Sequence, residues 1–440
     1  MDRGMIALTM VPVMLIGMAL GMPFFAIMGT TALIYGIASF GIKIVPVGFM
    51  KVFGFMMEPA FVAVPMFILM GTLLASTGVA ENLFMAIYKF FGKVNGGLLV
   101  AVGIVCTMLA ACTGTSAGPI ATMALAALPT MCKLKYKPEL ACGCISACGV
   151  LGTLIPPSNM MIILGITAEI PIGRLYAAAF VPGFGLAAIY IAYCVIKAWV
   201  SPYDAPGMTE EEIGEVNFAQ SLLILARDAL PVLGIVFAVL GTIYLGVCTA
   251  TEGAGIGAFA SLVLTIVYRK FSAKSYVQAI TNCYRATAMT AGLMIGANFF
   301  SSVFLAMGGG GAVVKVAQGL GLGSTGIILV VLFLNFILGF VMGSTSIILI
   351  LIPIFWPVLK KMNVPELWFS MLFIFMTQVG YLTPPYAQGI YLLKPLAPPE
   401  IELEVLYRGI VPFVLLQFLG AILIWYFPII VNWLPNKMIK

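Results

Sequence analysis

The chain has 440 residues, of which 62% are hydrophobic and 9% are charged, and its net charge is +6. Soluble domains are about 25% charged, so this composition excludes a soluble globular protein and indicates an integral membrane protein. Long apolar runs, rather than short alternating segments, exclude a transmembrane β-barrel.

Three further features narrow the class of function. The basic residues are spread thinly over loops, so we expect the lipid bilayer and no nucleic acid as a partner. Histidine is absent, which removes the commonest metal ligand and the usual general base near neutral pH. The nine cysteines match no zinc or redox spacing, and we expect them to pack as small apolar residues.

The first quarter of the chain is predicted to form membrane-spanning and interfacial helices. Spans are expected at residues 6–21, 24–40 and 61–76, and the first is expected to be retained because no cleavage site of a signal peptide is visible. Residues 43–58 are mixed and predicted to lie partly in the interface. Residues 81–93 predict an interfacial amphipathic helix.

A charge-free run at residues 94–132 is too long for one crossing of a bilayer core about 30 Å thick. Near its middle stands Thr113-Gly114-Thr115-Ser116, whose glycine and hydroxyls are typical of a turn. The run therefore predicts a helical hairpin with this sequence at its tip.

The next uncharged run, residues 140–168, contains Gly152 and the pair Pro156-Pro157 near its centre. Proline removes a backbone donor and pushes the preceding residue out of the helical region, so a helix must break here. An unsatisfied backbone group in hydrocarbon costs several kcal/mol. Protein, water or a bound solute must therefore satisfy the break.

The rest of the chain repeats this plan. After a span at 175–200, the prolines and glutamates of residues 201–217, with Thr209 and Glu212 as a capping box, predict a polar linker. Spans are expected at 230–249, 253–267, 286–307 and 410–431, a polar interfacial helix at 272–285, and loops at 308–311 and 319–323. A second hairpin is predicted at about 324–359, and a second broken helix at 367–393.

The two sets of motifs stand in one register. Ser116 and Ser344 differ by 344 − 116 = 228, and the same offset relates Gly152 to Gly380 and the two Pro-Pro pairs, which begin at positions 156 and 384. We infer an internal repeat, with halves at 1–200 and 218–440 joined by the linker 201–217. Interrupted apolar segments at corresponding positions of two halves point to a transporter binding site between them.

The chemistry of the breaks favours an alkali cation. A broken helix exposes carbonyls at one end and N–H groups at the other. The neighbouring side chains are neutral hydroxyls, namely Thr113, Thr115, Ser116, Thr153, Ser158, Ser344, Thr345, Ser346 and Thr383. A proton-coupled carrier is expected to hold Asp, Glu or His within the membrane, and neither core does.

We therefore predict two sodium sites, each where a hairpin tip meets its broken helix, with an anion held between them. The predicted contacts to the anion are Ser116, Ser158, Asn159, Ser344 and Tyr386. The alternative interpretation is that glycines and hydroxyls only permit close helix packing. Outside this region, Glu252 is expected to stabilise a helix N-terminus, and Arg285 to extend to the headgroups rather than contact the anion.

These motifs resemble the large membrane subunit, DctM-like, of tripartite ATP-independent periplasmic (TRAP) transporters. The resemblance covers nearly the whole chain and rests on Thr113–Ala117, Gly152–Ser158, the Thr251-Glu252 pair and Gly380–Pro385. It implies an all-α, inverted-repeat, elevator-type transporter with two re-entrant hairpins and two broken helices. It further implies sodium-coupled uptake of a small organic anion, a carboxylate or sulfonate, across the bacterial inner membrane.

The resemblance also implies partners and ion ligands. The partners are a small DctQ-like membrane subunit and a DctP-like periplasmic binding protein. By position, the first sodium site would use Thr113, Gly114, Thr115 and Ser116 with carbonyls near Gly152, Ile155 and Pro157. The second would use Gly343, Ser344, Thr345, Gly380 and Thr383. The chain departs from the family at the first tip, where Thr-Gly-Thr replaces Ser-Gly-Ser and Gly118-Pro119 stand where an acidic residue is expected.

Three other functions remain as alternatives. One is a carrier of the same architecture that works without a binding protein. Another is a membrane enzyme or scaffold subunit, which is disfavoured because no nucleophile–base pair or metal cluster is visible and the repeat would have no role. A channel is the weakest alternative.

Overall fold

A computed structural model describes residues 3–207, 218–319, 321, 323–385 and 387–438. Within these ranges the chain folds into helices and contains no strand. Eight of the described helices are long and apolar enough to cross a membrane. The protein is therefore a multi-pass, all-helical membrane protein. The expected capping box at Thr209 and the expected anion contact Tyr386 lie outside the described residues.

The helices of the first half run from the N-terminus to residue 200. They are α1 (Arg3–Leu8), α2 (Met10–Ala19), α3 (Phe24–Phe40), α4 (Ile44–Met56), α5 (Ala63–Ser76), α6 (Val79–Phe91), α7 (Gly97–Thr113), α8 (Ala117–Ala126), α9 (Leu128–Lys133), α10 (Pro138–Val150), α11 (Asn159–Ala168) and α12 (Ile172–Val200).

The described helices of the second half follow after residue 217. They are α13 (Phe218–Tyr244), α14 (Ala250–Val267), α15 (Ala273–Ala306), α16 (Gly309–Gly319), α17 (Ser324–Gly339), α18 (Ser344–Lys361), α19 (Glu366–Leu382), α20 (Gln388–Leu393), α21 (Leu403–Tyr426) and α22 (Ile429–Asn432).

Helix bounds recur between the halves at the offset seen in the sequence. Adding 228 to the bounds of α7 gives 325–341, where α17 lies, and the shifted bounds of α10, 366–378, fall within α19. With the same 228 added to their residue numbers, α12 overlaps α21, α3 overlaps α14, and α6 overlaps α16. The described helices of residues 24–200 thus have counterparts in the same order after residue 217.

The helices form two packed groups. In the first, which we call the scaffold group, α5 packs against α14 and α3 packs against α15, with α4 beside them. In the second, the core group, the hairpins α7–α8 and α17–α18 pack on the broken helices, and α10 also packs along α21. The two groups touch where an added Cβ at Gly71 would lie 2.5 Å from the Cα of Thr113. The Cβ and Cγ2 atoms of the Thr113 side chain also lie within 3.2 Å of that position, so the residue at 71 must be small.

One prediction based on glycine content is wrong, at residues 308–311. The loop expected at residues 308–311 is wrong, because only Gly308 adopts a left-handed turn (φ +86°) and α16 begins at Gly309. Ala312 is 3% exposed, and Val313 and Val314 pack against the core. Tertiary burial of this face outweighs the low helix propensity of glycine, about 1 kcal/mol per residue.

Two expected helix boundaries also differ. The interfacial helix at 272–285 and the span at 286–307 form one continuous 34-residue helix, α15, which contains no proline. Conversely, the single span expected at 6–21 is divided into α1 and α2 at Thr9, whose hydroxyl donates to the carbonyl of Ile6 at 2.7 Å.

The side-chain prediction for Glu252 is confirmed. Its carboxylate accepts from the Thr249 backbone N–H at 2.8 Å, and its own N–H donates to the Thr249 hydroxyl at 3.2 Å. This reciprocal capping box begins α14. Arg285 is exposed on α15 and lines a surface groove with Lys274 and Gln278.

Candidate functional site

The first hairpin turns at Gly114. Helix α7 ends at Thr113, and Gly114 adopts a left-handed conformation (φ +60°) that glycine reaches at no steric cost. Its N–H donates to the carbonyl of Ala110 at 3.1 Å, and α8 begins three residues later at Ala117. The sequence therefore produces a short tip in which the carbonyls of Gly114 and Thr115 accept from the Asn159 N–H and the Thr113 hydroxyl, outside any helix.

The first broken helix is interrupted where the prolines predict. Helix α10 ends at Val150, a 3-10 turn covers Leu151–Thr153, and α11 begins at Asn159 after an extended Ser158 (φ −122°, ψ 127°). The whole stretch Leu151–Ser158 is buried. The carbonyl end of α10 and the N–H end of α11 consequently face a protein interior rather than lipid.

The tip and the break meet backbone to backbone. A Cβ added at Gly152 would collide with the carbonyl oxygen of Thr115, and a Cβ added at Gly114 would lie 2.6 Å from the carbonyl oxygen of Pro157. The N–H of Asn159 donates to the carbonyl of Gly114 at 3.5 Å. Glycine is required at both positions because the two backbones approach so closely.

We call the contact between the Thr113–Ser116 tip and the Leu151–Ser158 break the first junction. The hydroxyl groups at this junction donate hydrogen bonds to nearby carbonyl oxygens. Thr113 donates to the carbonyl of Thr115 (3.2 Å), Thr153 to that of Val150 (2.9 Å), and Ser158 to that of Thr153 (2.6 Å). Each hydroxyl oxygen keeps lone pairs for a further partner. The Oδ1 atom of Asn159 is buried without a hydrogen-bond partner. The junction is thus a concentration of neutral oxygen atoms.

The second junction has the same parts in a different arrangement. Helix α19 ends at Leu382, and the hydroxyl of Thr383 donates to the carbonyl of Val379 at 2.6 Å. A Cβ added at Gly380 would lie 2.8 Å from the Cα of Gly339. The tip residue Gly343, in contrast, has open space where a Cβ would stand. The close backbone contact of the second half therefore involves the end of α17 and not the tip.

The predicted site residues can now be placed. The structure brings Thr113, Gly114, Thr115 and Ser116 to the break that contains Gly152, Ile155, Pro157, Ser158 and Asn159. Ser344 and Thr345 begin α18, next to the open position at Gly343. The two halves meet where the Ser116 hydroxyl and the Tyr381 hydroxyl lie 3.5 Å apart.

Sequence reasoning missed a buried row of polar side chains between the two broken helices. Gln378 donates from Nε2 to the hydroxyl of Thr153 at 2.7 Å and to the carbonyl of Val150 at 3.3 Å. Its Oε1 accepts from Gln417 at 2.5 Å, and Gln417 accepts from the Tyr190 hydroxyl at 3.4 Å. Two glutamines inside apolar helices were the available signal, since buried polar groups need partners.

The electrostatics of the two junctions come from dipoles rather than charges. In the described residues no group of three or more Cys, Asp or Glu side chains is arranged to hold a metal ion. At each junction, carbonyl and hydroxyl oxygens lie at the C-terminus of one helix and N–H groups lie at the N-terminus of the next. The first attracts a cation and the second attracts an anion.

Paired broken helices and hairpins at corresponding positions of two halves, in a multi-pass helical protein, are typical of membrane transporters. The family model of the tripartite ATP-independent periplasmic transporter, DctM component, matches residues 8–430. The chain belongs to this family, which consists of transporter permeases and not of enzymes.

Individual relatives agree with this assignment. The chain is 28% identical over 375 residues to the C4-dicarboxylate TRAP transporter large permease protein DctM of Pseudomonas aeruginosa, which covers 85% of this chain and 86% of the relative. It is 26% identical over 371 residues to the isethionate TRAP transporter permease protein DctMQ of Oleidesulfovibrio alaskensis, covering 84% of this chain and 57% of the relative.

A solved structure shares the fold. The crystal structure of the YdaH transporter from Alcanivorax borkumensis superposes with a TM-score of 0.62 at 16% identity, covering 88% of this chain and 89% of that chain. At this identity the likeness concerns the fold alone.

Proposed function

We propose that this chain carries a small organic anion, a carboxylate or sulfonate, into a bacterial cell across the inner membrane, coupled to sodium ions. The observation that carries the proposal is the buried first junction, where Thr115 and Pro157 carbonyls lie against Gly152 and Gly114. Unwound backbone carbonyls at a half-helix end are the group that coordinates sodium in transporters of this kind.

The donor set fits sodium in its chemistry. Carbonyl and hydroxyl oxygens are neutral, hard donors that replace the hydration shell of an alkali cation. The first site would be held by the tip residues Thr113 to Ser116 and the carbonyls near Gly152, Ile155 and Pro157. The second would be held by Gly343, Ser344, Thr345, Gly380 and Thr383. The cation supplies positive charge that offsets the charge of the anion, and the chain's residues supply oxygen ligands.

The anion would lie between the two junctions. The hydroxyls of Ser116 and Ser344 and the amide of Asn159 can donate to a carboxylate or sulfonate. The Ser158 hydroxyl would donate to the anion in place of its bond to the Thr153 carbonyl, and Tyr386 completes the proposed set. The N–H end of α11 contributes a partial positive charge. The names of the relatives support this class, since one is a C4-dicarboxylate permease and another an isethionate permease.

Movement of the core group against the scaffold group is the proposed transport step. The halves 1–200 and 218–440 would be inverted repeats, and the hairpins would be re-entrant. The two groups are in close contact at Gly71 and Thr113, and the proposed movement would change this contact. Partners of the DctQ and DctP types are proposed from the family, whose transporters are tripartite and periplasmic.

Uptake by proteoliposomes tests the proposal. The chain would be reconstituted with its small subunit and supplied with a loaded binding protein, first with an inward sodium gradient and then with potassium in its place. We expect uptake only with sodium and only with the binding protein. Equal uptake in potassium would exclude sodium coupling. Uptake of free solute without a binding protein would favour the stand-alone carrier.

A further inference from the structure

A buried pair of polar residues joins the second hairpin to its broken helix. Asn335 lies on α17 and Thr377 on α19, and both are 0% exposed. The side-chain N–H of Asn335 donates to the carbonyl of Phe373 at 2.8 Å. The Thr377 hydroxyl is shared between the side-chain oxygen of Asn335 at 3.0 Å and the same carbonyl at 2.8 Å. We call these three groups the polar clamp.

The polar clamp fixes how α17 and α19 lie along each other. Four residues after Asn335, a Cβ added at Gly339 would lie 2.6 Å from the Cα of Gly380. The contacts advance in the same direction on both helices, so the two helices run parallel and their C-terminal ends come together. A buried polar residue in an apolar helix interface needs a specific partner and therefore selects one register.

Both of these helix ends lead directly into the proposed second ion site. Gly343 and Ser344 follow four and five residues after Gly339, and Thr383 follows the last residue of α19. Two helix C-termini that lie side by side add their partial negative charges, which favours a cation. The register of α17 against α19 thus sets the distance between the oxygens that the two ends contribute.

The corresponding positions of the first half do not form this clamp. At the 228-residue offset, Asn335 corresponds to Thr107 and Thr377 to Gly149. The Thr107 hydroxyl donates to the carbonyl of Gly103 in its own helix at 2.7 Å, and Gly149 has no side chain. Hairpin and broken helix are otherwise repeated in both halves. The polar clamp is therefore a feature of the second site rather than of the repeated fold.

We propose that Asn335 and Thr377 are positioning residues of the second sodium site, which act through the two helix ends and set its preference for sodium over lithium. This inference rests on the proposed function for the identity of the ion, but not for the fixed register of α17 and α19. Neither side chain is itself an ion ligand. Oxygens held at a fixed spacing match one ion size, whereas oxygens that are free to approach each other also accommodate the smaller lithium ion.

The ion dependence of uptake tests the polar clamp. Thr377→Val removes the hydroxyl at nearly constant shape. We expect it to raise the half-saturating sodium concentration about fivefold, the size expected for the loss of one interhelical hydrogen bond. The preference for sodium over lithium should fall by a similar factor, with the maximal rate per folded protein retained. Asn335→Leu, which removes the clamp from the other helix, should show the same two changes.

Two further variants separate positioning from a general loss of stability. Thr377→Ser retains the hydroxyl and should match the unmodified chain. Thr107→Val makes the same change at the corresponding position of the first half and should leave the ion preference unchanged. Unchanged ion dependence in Thr377→Val and Asn335→Leu, or an equal change in Thr107→Val, would overturn the proposal.

Backbone amide exchange, followed by mass spectrometry, gives a second measurement that needs neither ion nor solute. In Thr377→Val the amides of residues 376–383 and 340–345 should exchange about threefold faster or more, while those of residues 148–154 are unaffected. Unchanged exchange at residues 376–383 would overturn the polar clamp. Faster exchange there, together with uptake by the unmodified chain that does not depend on sodium, would overturn the proposed function and leave the clamp standing.

Discussion

Gln378 donates a hydrogen bond to the carbonyl oxygen of Val150, the residue that is its own counterpart, since 378 − 150 = 228. Contact between corresponding residues is what a two-fold axis produces, because a surface at the axis meets its own copy. The two broken helices therefore cross at equivalent positions. The same glutamine also reaches Thr153, so one side chain from the second half holds the carbonyl end of the first break.

Replacing Gln378 should affect both stability and ion binding. In Gln378→Leu the side-chain N–H of Gln417 loses its acceptor and the Thr153 hydroxyl loses a donor, and leaving buried polar groups unpaired costs about 1–3 kcal/mol. We expect a lower unfolding temperature in detergent and a several-fold higher half-saturating sodium concentration for uptake. Ser146→Ala, which removes another buried bond between the halves (3.4 Å to the Gly389 carbonyl), is the matched control. An equal change in sodium dependence in both variants would contradict a specific role of Gln378.

The first junction should not tolerate a methyl group. In Gly152→Ala the new Cβ meets backbone atoms of Thr115 that cannot rotate away, and overpacking of this kind costs about 1–3 kcal/mol. The tip must move from the break, so sodium-dependent uptake should be nearly lost at normal expression. Gly255→Ala, which has open space around its Cα, should retain it. Full activity of Gly152→Ala would mean that the tip does not close on the break during transport.

The second site is tested by removing hydroxyl groups. Ser344→Ala with Thr383→Ala should raise the half-saturating sodium concentration about tenfold, equivalent to about 1.4 kcal/mol. Thr290→Ala serves as control, because its hydroxyl makes the same type of bond to its own helix (2.9 Å to Ala286) as Thr383 makes to Val379. An unchanged sodium dependence in the double variant would show that the second site lies elsewhere.

Uptake should depend little on pH. The chain has no histidine, and the proposed ion ligands are hydroxyls and carbonyls, so no group at the junctions titrates between about pH 6 and pH 8. With a fixed sodium gradient, initial rates should change less than about twofold over that range. A steep rise at low pH that persists without sodium would point to protons as the coupling ion instead.

The parts of the fold that depend on local chemistry were predictable. Proline and glycine act on their own backbone, so the breaks after Val150 and after Leu382 followed from the sequence, and the first break lies within the predicted range 140–168. Contacts that depend on tertiary packing were not predictable. The helix that includes the glycine run at 309–311 depends on the burial of Ala312 against other segments. The hydrogen bond from Gln378 to Thr153 likewise joins residues that are far apart in the sequence.

The difference in packing between Gly152 and Gly380 has a consequence for the order in which the proposed ions would bind and leave. Gly152 touches the tip residue Thr115, whose counterpart is Gly343, yet Gly380 touches Gly339 and leaves Gly343 uncovered. Two ion sites built from the same repeat would then differ in how easily they open. In the proposed carrier, the first site would hold its ion behind a closed backbone contact, whereas the second site would have open space beside Gly343. In a working cycle the ion at the second tip would be the last to arrive and the first to leave.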